Sequence, residues 1–148
     1  MSRDQNAYDK AIALLKLRPH YSVELARKLS LRHFKREEIQ EVIRKLTEQG
    51  LLNDEQYAQA YLDELIRRKP YGFYMLLKKM LSRGIGKAEA QQLLAERFEL
   101  AAEEANARRV LDRERGGDKM KLAQKLSRQG FRSEAIRRVI DSTSLPDA

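Results

Sequence analysis

One sequence pattern occurs twice in the chain: LSLRHFKREEI at residues 29–39 and LSRQGFRSEAI at residues 126–136. The two stretches share a leucine, a serine, a phenylalanine, a glutamate and an isoleucine at the same offsets. A looser version, LSRGIGKAEA at residues 81–90, lies between them and is one residue shorter before its isoleucine. A unit that recurs every 45 to 52 residues is typical of stacked repeats, in which each unit buries its apolar face against the next.

The segments around this pattern have the apolar spacing of helices. The apolar residues between Ile39 and Leu46 lie at i, i+3, i+4 and i+7, which places them on one helical face, and no segment alternates like a strand. Proline and glycine separate the periodic segments because neither residue favours a continuing helix. The sequence therefore predicts an all-α protein with helices at 6–17, 22–32, 36–49, 54–68, 73–83, 87–98, 100–114, 119–129 and 133–142.

These helices fall into three groups of three, which we interpret as tandem three-helix repeats. The predicted boundaries are 1–52, 53–98 and 99–142, with a flexible tail at 143–148. We expect the three repeats to lie side by side in an elongated, curved array. In each repeat the leucine of the shared pattern is expected to enter the core, which predicts burial of Leu29, Leu81 and Leu126.

Local signals predict how individual helices begin and end. Ser22 follows a proline break and is predicted to be an N-cap. Asn53, with Gln56 three residues later, has the pattern of a capping box. Gly50 follows an apolar stripe and fits the residue just beyond a helix. The acidic pair at 103–104 is expected to be solvated on a helix surface.

The composition excludes several classes of protein. The 148 residues contain no cysteine and two histidines, so the chain has neither a disulfide framework nor a thiolate nucleophile. His20 and His33 lack metal-ligand spacing, and no phosphate-binding loop or serine–histidine–aspartate arrangement is present. We therefore expect no enzyme, with no catalytic residue, metal or cofactor.

The apolar runs are short. The longest, residues 11–15, falls far below the roughly 20 residues that a membrane span requires, and the start of the chain lacks the apolar core of a signal peptide. These features predict a cytoplasmic protein that does not enter a membrane.

The basic charge is spread along the chain. The formal net charge is +8, divided as +4, +2 and +2 over residues 1–52, 53–98 and 99–148. A distributed positive field favours a long polyanion or an extended acidic surface as the partner. The candidate binding residues form a predicted basic face: Arg67, Arg68, Lys69, Lys78, Lys79, Arg83, Lys87, Arg32, Lys35, Arg36, Arg128 and Arg132. Tyr21, Tyr71 and Tyr74 are candidates for stacking on bases, with packing as the alternative.

Four stretches resemble the RecX regulatory family: GLLNDEQYAQAY at 50–61, LKKMLSRGI at 77–85, YSVELARKL at 21–29 and QKLSRQGF at 124–131. The resemblance covers about residues 7–142, and it implies the same three tandem three-helix repeats. Members of the family modulate the RecA recombinase in DNA repair by homologous recombination and in the SOS response.

The resemblance also implies a partner. The expected partner is the RecA filament on single-stranded DNA, bound in the helical groove by a monomer that inhibits recombinase, ATPase and coprotease activities. Single-stranded DNA alone is expected to bind more weakly. One departure is the turn Lys69-Pro70-Tyr71-Gly72, where the family often has a glycine-bearing basic turn. The proline in this chain stiffens the linker.

Two other functions fit the residues. The first is a helix-turn-helix module that binds DNA or RNA directly, although no helix collects base-reading side chains on one face. The second is a helical-repeat scaffold for an acidic protein partner. Binding to bare nucleic acid, or a salt-sensitive protein complex formed without DNA, distinguishes these alternatives.

Overall fold

The computed structural model describes residues 6–114 and 116–143. The predicted flexible tail at 143–148 lies outside this range except for its first residue. Within the described residues the chain forms nine α-helices and no strand, which confirms the all-α prediction. The helices are α1 Ala7–Leu17, α2 Ser22–Leu31, α3 Arg36–Glu48, α4 Asp54–Arg68, α5 Phe73–Ser82, α6 Lys87–Arg97, α7 Leu100–Leu111, α8 Lys119–Arg128 and α9 Ser133–Asp141.

The helix predictions agree with the structure to within one residue at most ends, and the largest difference lies in α7. The sequence predicted a helix to residue 114, whereas α7 ends at Leu111. The backbone N–H groups of Arg113 and Glu114 donate to the carbonyl oxygens three residues earlier, at 3.2 and 2.9 Å. This tighter turn ends the α-helix ahead of the glycine pair at 116–117.

The chain divides into two compact units. The first unit runs to Ala60 and includes Arg83–Ile85, whereas the second contains Tyr61–Ser82 and continues from Gly86. Helix α4 therefore contributes its first half to one unit and its second half to the other. The repeat boundaries at 52 and 98 stay predictions.

The first unit contains α1, α2 and α3, which pack on one another. Its core residues are Ala7, Ala11, Leu14, Leu25, Leu29, Ile39, Val42, Leu46 and Leu52. Gly50 lies just beyond α3 with a φ of +74°, as expected for this position. The Asn53 side chain accepts a hydrogen bond from the Gln56 N–H at 3.1 Å, which confirms that Asn53 caps α4.

The prediction that Ser22 is an N-cap is wrong. Helix α2 begins at Ser22, and the residue before it, Tyr21, makes no side-chain capping bond. The carboxylate of Asp54, at the start of α4, accepts bonds from the Ser22 N–H at 2.7 Å and from the Ser22 hydroxyl. A carboxylate from a distant helix therefore satisfies this N-terminus, and sequence position gave no sign of it.

In the second unit, α7, α8 and α9 pack together and α5 packs on α6. The backbone of α5 lies very close to the turn before α9, since the Tyr74 N–H donates to the Gly130 carbonyl at 2.7 Å. A Cβ atom at Gly72 would lie 2.4 Å from the backbone nitrogen of Phe131. Glycine is required at residue 72 because any side chain would collide with main chain.

Glu103 is the central polar group of the second unit. Its side chain is fully buried, which corrects the expectation that the acidic pair at 103–104 is solvated. One carboxylate oxygen accepts the N–H groups of Phe73 and Arg132 at 2.9 Å each, and the other accepts the Arg132 Nε–H at 2.7 Å. Phe73 begins α5 and Arg132 is the N-cap of α9, so one carboxylate holds two helix N-termini together.

In the middle of the chain, the residue that matches the buried leucine of the shared pattern lies one position earlier than the sequence predicted. Leu29 and Leu126 are fully buried, but Leu81 is 39% exposed, so its predicted burial is wrong. The residue before it, Met80, is buried instead. With this one-residue shift, Met80 and Ile85 correspond to Leu29 and Phe34 at the same spacing, and the shorter middle pattern needs no deletion.

Replacing Glu103 by glutamine tests the capping carboxylate. We expect Glu103→Gln to lower the free energy of unfolding by about 2–3 kcal/mol, because the amide cannot satisfy both N–H groups and the Arg132 guanidinium together. Urea unfolding followed by circular dichroism measures the effect. The matched control is Glu104→Gln, whose carboxylate pairs with the exposed Arg138 at 3.1 Å and whose loss should cost less than about 1 kcal/mol. Equal losses in the two variants would contradict this role.

Candidate anion-facing surface

The two units divide the predicted basic face between them. Arg32, Lys35, Arg36 and Arg83 belong to the first unit, and the other eight residues belong to the second. Each group is therefore a separate candidate surface.

The turn between α4 and α5 carries the densest basic cluster of the second unit. Arg67, Arg68 and Lys69 are exposed at the end of α4, and Arg67 pairs with Glu64 at 2.7 Å. Arg68 forms no ion pair with any residue that the structure describes. This cluster presents several cations to solvent within one helical turn.

Hydrogen bonds fix the conformation of this turn. The carbonyl oxygen of Tyr71 accepts a bond from the buried Asn106 amide at 3.0 Å, and the Tyr71 N–H donates to the Lys69 carbonyl at 2.9 Å. The Lys79 ammonium lies 5.0 Å from the centroid of the Tyr71 ring, within cation–π distance. Lys79 of the predicted basic face is therefore half-buried against Tyr71. Lys78 beside it is exposed, as expected.

A groove of about 330 Å³ lies beside this turn. Its lining residues are Lys69, Pro70, Tyr71, Met75, Val110, Arg113, Glu114, Lys125 and Gln129. Lys125 pairs with Glu114, whereas Lys69 and Arg113 form no ion pair with a described residue and supply positive charge around an apolar floor. Arg113 is absent from the predicted basic face because it follows α7, about 40 residues along the chain from the turn beside which it lines the groove.

Arg132 differs from the other predicted surface residues. Its guanidinium binds the buried Glu103 and stacks over the Phe73 ring, with 4.1 Å between the guanidinium carbon and the ring centroid. Its positive charge is therefore largely neutralised by Glu103 inside the unit. By contrast, Lys87 and Arg128 are exposed and have no ion-pair partner in the described part of the chain.

In the first unit, Arg83 belongs to an ordered network. Its guanidinium donates to the Tyr57 hydroxyl at 3.2 Å and lies 3.9 Å from the Glu24 carboxylate. Glu24 also pairs with Arg18. Burial pushes the pKa of Glu24 upward, but the hydrogen bond and positive charge of Arg18 outweigh burial and leave that pKa below its usual value.

Among the stacking candidates, only Tyr74 is largely exposed. Tyr21 is buried, with its ring centroid 5.8 Å from that of Tyr57, so it packs within the first unit. Tyr74 is 56% exposed and meets the Phe73 ring edge to face.

His20 is buried beside this network. Its Nδ1–H donates to the Arg18 carbonyl at 2.9 Å, and its Nε2 accepts from the Lys28 ammonium at 2.8 Å. Burial lowers the pKa of His20 below 6.5, and the charges of Lys28 and Arg18 act in the same direction. The imidazole is therefore neutral in the folded protein at pH 7.

The described residues contain neither a candidate metal site nor a candidate membrane span. Across residues 6–114 and 116–143, no three histidine, aspartate or glutamate side chains are grouped so as to hold a metal ion. None of the described helices is long and apolar enough to cross a membrane.

Two relatives match nearly the whole chain. The regulatory protein RecX of Chlorobium phaeobacteroides is 30% identical over 141 residues, which cover 93% of each protein. That of Prosthecochloris aestuarii is 30% identical over 144 residues, which cover 95% of each. Both relatives carry the name of a regulatory protein. No family model matches the chain.

Two crystal structures share the fold. RecX from Lactobacillus salivarius has a TM-score of 0.79 at 21% identity, covering 91% of this chain and 92% of that one. A second regulatory protein RecX has a TM-score of 0.77 at 22% identity, covering 92% of this chain and 70% of the other. At such identities the structures show the fold alone.

The lowered pKa of His20 predicts a pH-dependent stability. Because the folded pKa is lower than the unfolded one, the unfolded state binds the proton more readily, and stability should fall as pH drops below about 6.5. His20→Gln should flatten the decrease in unfolding free energy between pH 7.5 and pH 5.5, as measured by urea titration. A slope in His20→Gln equal to that of the wild type would contradict the assignment.

Proposed function

Because the chain belongs to the RecX family of regulatory proteins, we propose that it regulates the RecA recombinase by binding the RecA filament on single-stranded DNA. Binding inhibits strand exchange, ATP hydrolysis and coprotease activity. The observation that carries this proposal is the 30% identity to RecX relatives over nearly their whole length. The choice of RecA as the regulated protein rests on the family resemblance.

The charge of the protein supports a polyanionic partner. The net charge is +8, and both units have exposed cations that form no ion pair with a described residue, for example Arg36 in the first and Arg68 and Lys78 in the second. A nucleoprotein filament carries phosphate charge along its length, so several weak contacts add up on such a partner. Binding should weaken steeply with salt for the same reason.

Physical blockade is the mechanism that we propose. A basic protein bound in the filament groove hinders access of the second DNA strand, and one bound at a growing end favours disassembly. The fixed turn from Lys69 to Tyr71, with Lys79 on the Tyr71 ring, supports a rigid basic surface in the second unit. Neither route requires a covalent step by this protein.

Inhibition of RecA is the direct test. In a titration at fixed low salt, we expect substoichiometric amounts of this protein to reduce the single-stranded-DNA-dependent ATP hydrolysis of RecA. Blockade within a filament stops more than one protomer per bound molecule, which gives the substoichiometric effect. No change at excess, with the protein shown to be folded by circular dichroism, would reject the proposed function.

Reversing two exposed charges tests the basic surface. Arg68→Glu with Lys78→Glu should weaken filament binding about tenfold or more at low salt and reduce its salt dependence, because two phosphate contacts are lost. The thermal midpoint should barely change, since both side chains are exposed and neither forms an ion pair within residues 6–114 and 116–143. The control, Arg108→Glu with Arg109→Glu, reverses two exposed charges on α7. Similar weakening by both pairs would show that net charge alone matters and would reject this placement.

A further inference from the structure

An open groove lies between α2 and α3 in the first unit. It has a volume of about 450 Å³. Its lining residues are Val23, Ala26, Arg27, Ser30, Phe34, Arg36, Ile39 and Gln40. Ala26 and Ser30 are one helical turn apart, so their small side chains leave the floor open between Phe34 and Ile39.

The second unit contains a copy of this groove between α8 and α9. Its volume is about 430 Å³. Its lining residues are Ala123, Gln124, Ser127, Ser133, Ile136, Arg137 and Ile140. Six of these positions are equivalent to lining positions of the first groove by the spacing of 97 residues that relates the shared sequence patterns. The same cavity at the same register indicates that the groove is part of the repeat rather than an accident of packing.

The middle of the chain has larger side chains at these positions. In the register that aligns Met80 with Leu29, Leu77 corresponds to Ala26 and Leu81 corresponds to Ser30. The middle of the chain therefore already has leucine at both positions that form the groove floor in the first unit.

The charged side chains that line the first groove are positive. Arg27 and Arg36 line the groove, are exposed and form no ion pair with a described residue. Among the described residues, no carboxylate lines either groove. In the second groove, Arg137 pairs with Glu134 on its own helix, which reduces its attraction for an outside anion. The first groove is therefore the more strongly cationic of the two.

We propose that the α2–α3 groove binds an acidic amphipathic helix of a protein partner, and that the α8–α9 groove is a second, weaker site for the same kind of helix. The apolar floor matches the apolar stripe of such a helix, and the arginines match carboxylates on its flanks. A nucleic-acid backbone fits less well, because phosphates gain nothing from Ala26, Phe34 and Ile39. A second copy of this chain is disfavoured by its net charge of +8.

Two copies of one groove suit a partner that presents the same helix more than once. A protein filament presents the same helix on every subunit. Only the identification of the partner as such a filament rests on the proposed function. The grooves themselves are tested without RecA.

The probe is a fluorescein-labelled peptide of about 18 residues, acetylated and amidated, with leucines along one helical face and glutamates elsewhere. We expect fluorescence anisotropy and calorimetry to detect two sites. Ala26→Leu with Ser30→Leu should weaken the tighter site about tenfold or more, and Ala123→Leu with Ser127→Leu should remove the other. Circular dichroism and thermal melts check that the filled variants fold.

The arginines provide a test that leaves the floor unchanged. Arg27→Gln with Arg36→Gln should weaken the tighter site about tenfold and reduce its salt dependence, whereas the control Arg108→Gln with Arg109→Gln should not. Absence of peptide binding, affinity unaffected by filling the grooves, or equal binding of a lysine version of the peptide would each overturn the proposal. It would also be overturned if filling the grooves abolished oligothymidine binding instead of peptide binding.

The RecA titration separates the two proposals. Inhibition of RecA without peptide binding would overturn the groove assignment and leave the proposed function standing. Peptide binding without inhibition of RecA would support the grooves and reject the proposed function.

Discussion

The second unit depends on one buried carboxylate. Glu103 accepts the N–H groups that begin two separate helices and also binds the Arg132 guanidinium, whose other side stacks on Phe73. A buried charge is costly unless it is paired and hydrogen-bonded, so this carboxylate stabilises only the arrangement that brings α5 and α9 together. The close backbone approach between Gly72 and the Gly130–Phe131 turn follows from the same arrangement.

The first unit uses carboxylates in a similar way. Asp54 caps α2 through Ser22, and the Glu38 carboxylate accepts the N–H of Ala7 at the start of α1, at 3.3 Å. Helices of 9 to 15 residues are marginal in water by themselves. Capping by a neighbouring helix therefore makes α1 and α2 depend on the tertiary fold, which suits a protein built from small repeats.

The repeated helix pairs, α2 with α3 and α8 with α9, form both core and surface features. The shared pattern packs Leu29 and Leu126 inward, and in both units small residues on the first helix of the pair form the floor of a groove between the two helices. One sequence pattern thus serves the core and a surface groove at once. Basic side chains around these grooves and around the Lys69 turn give both units cationic surfaces, each with apolar residues in its lining.

Apolar periodicity, proline and glycine determined the helices, because these signals act within one or two turns. The sequence also determined the distributed charge and, through four stretches, the family. Only the tertiary structure decided that Glu103 is buried, that Asp54 caps α2, and that Met80 rather than Leu81 enters the core. It likewise placed Arg113 beside the Lys69 turn. Each of these outcomes depends on a group about 30 or more residues away, or on which face of a helix meets its neighbour, and local spacing carries neither kind of information.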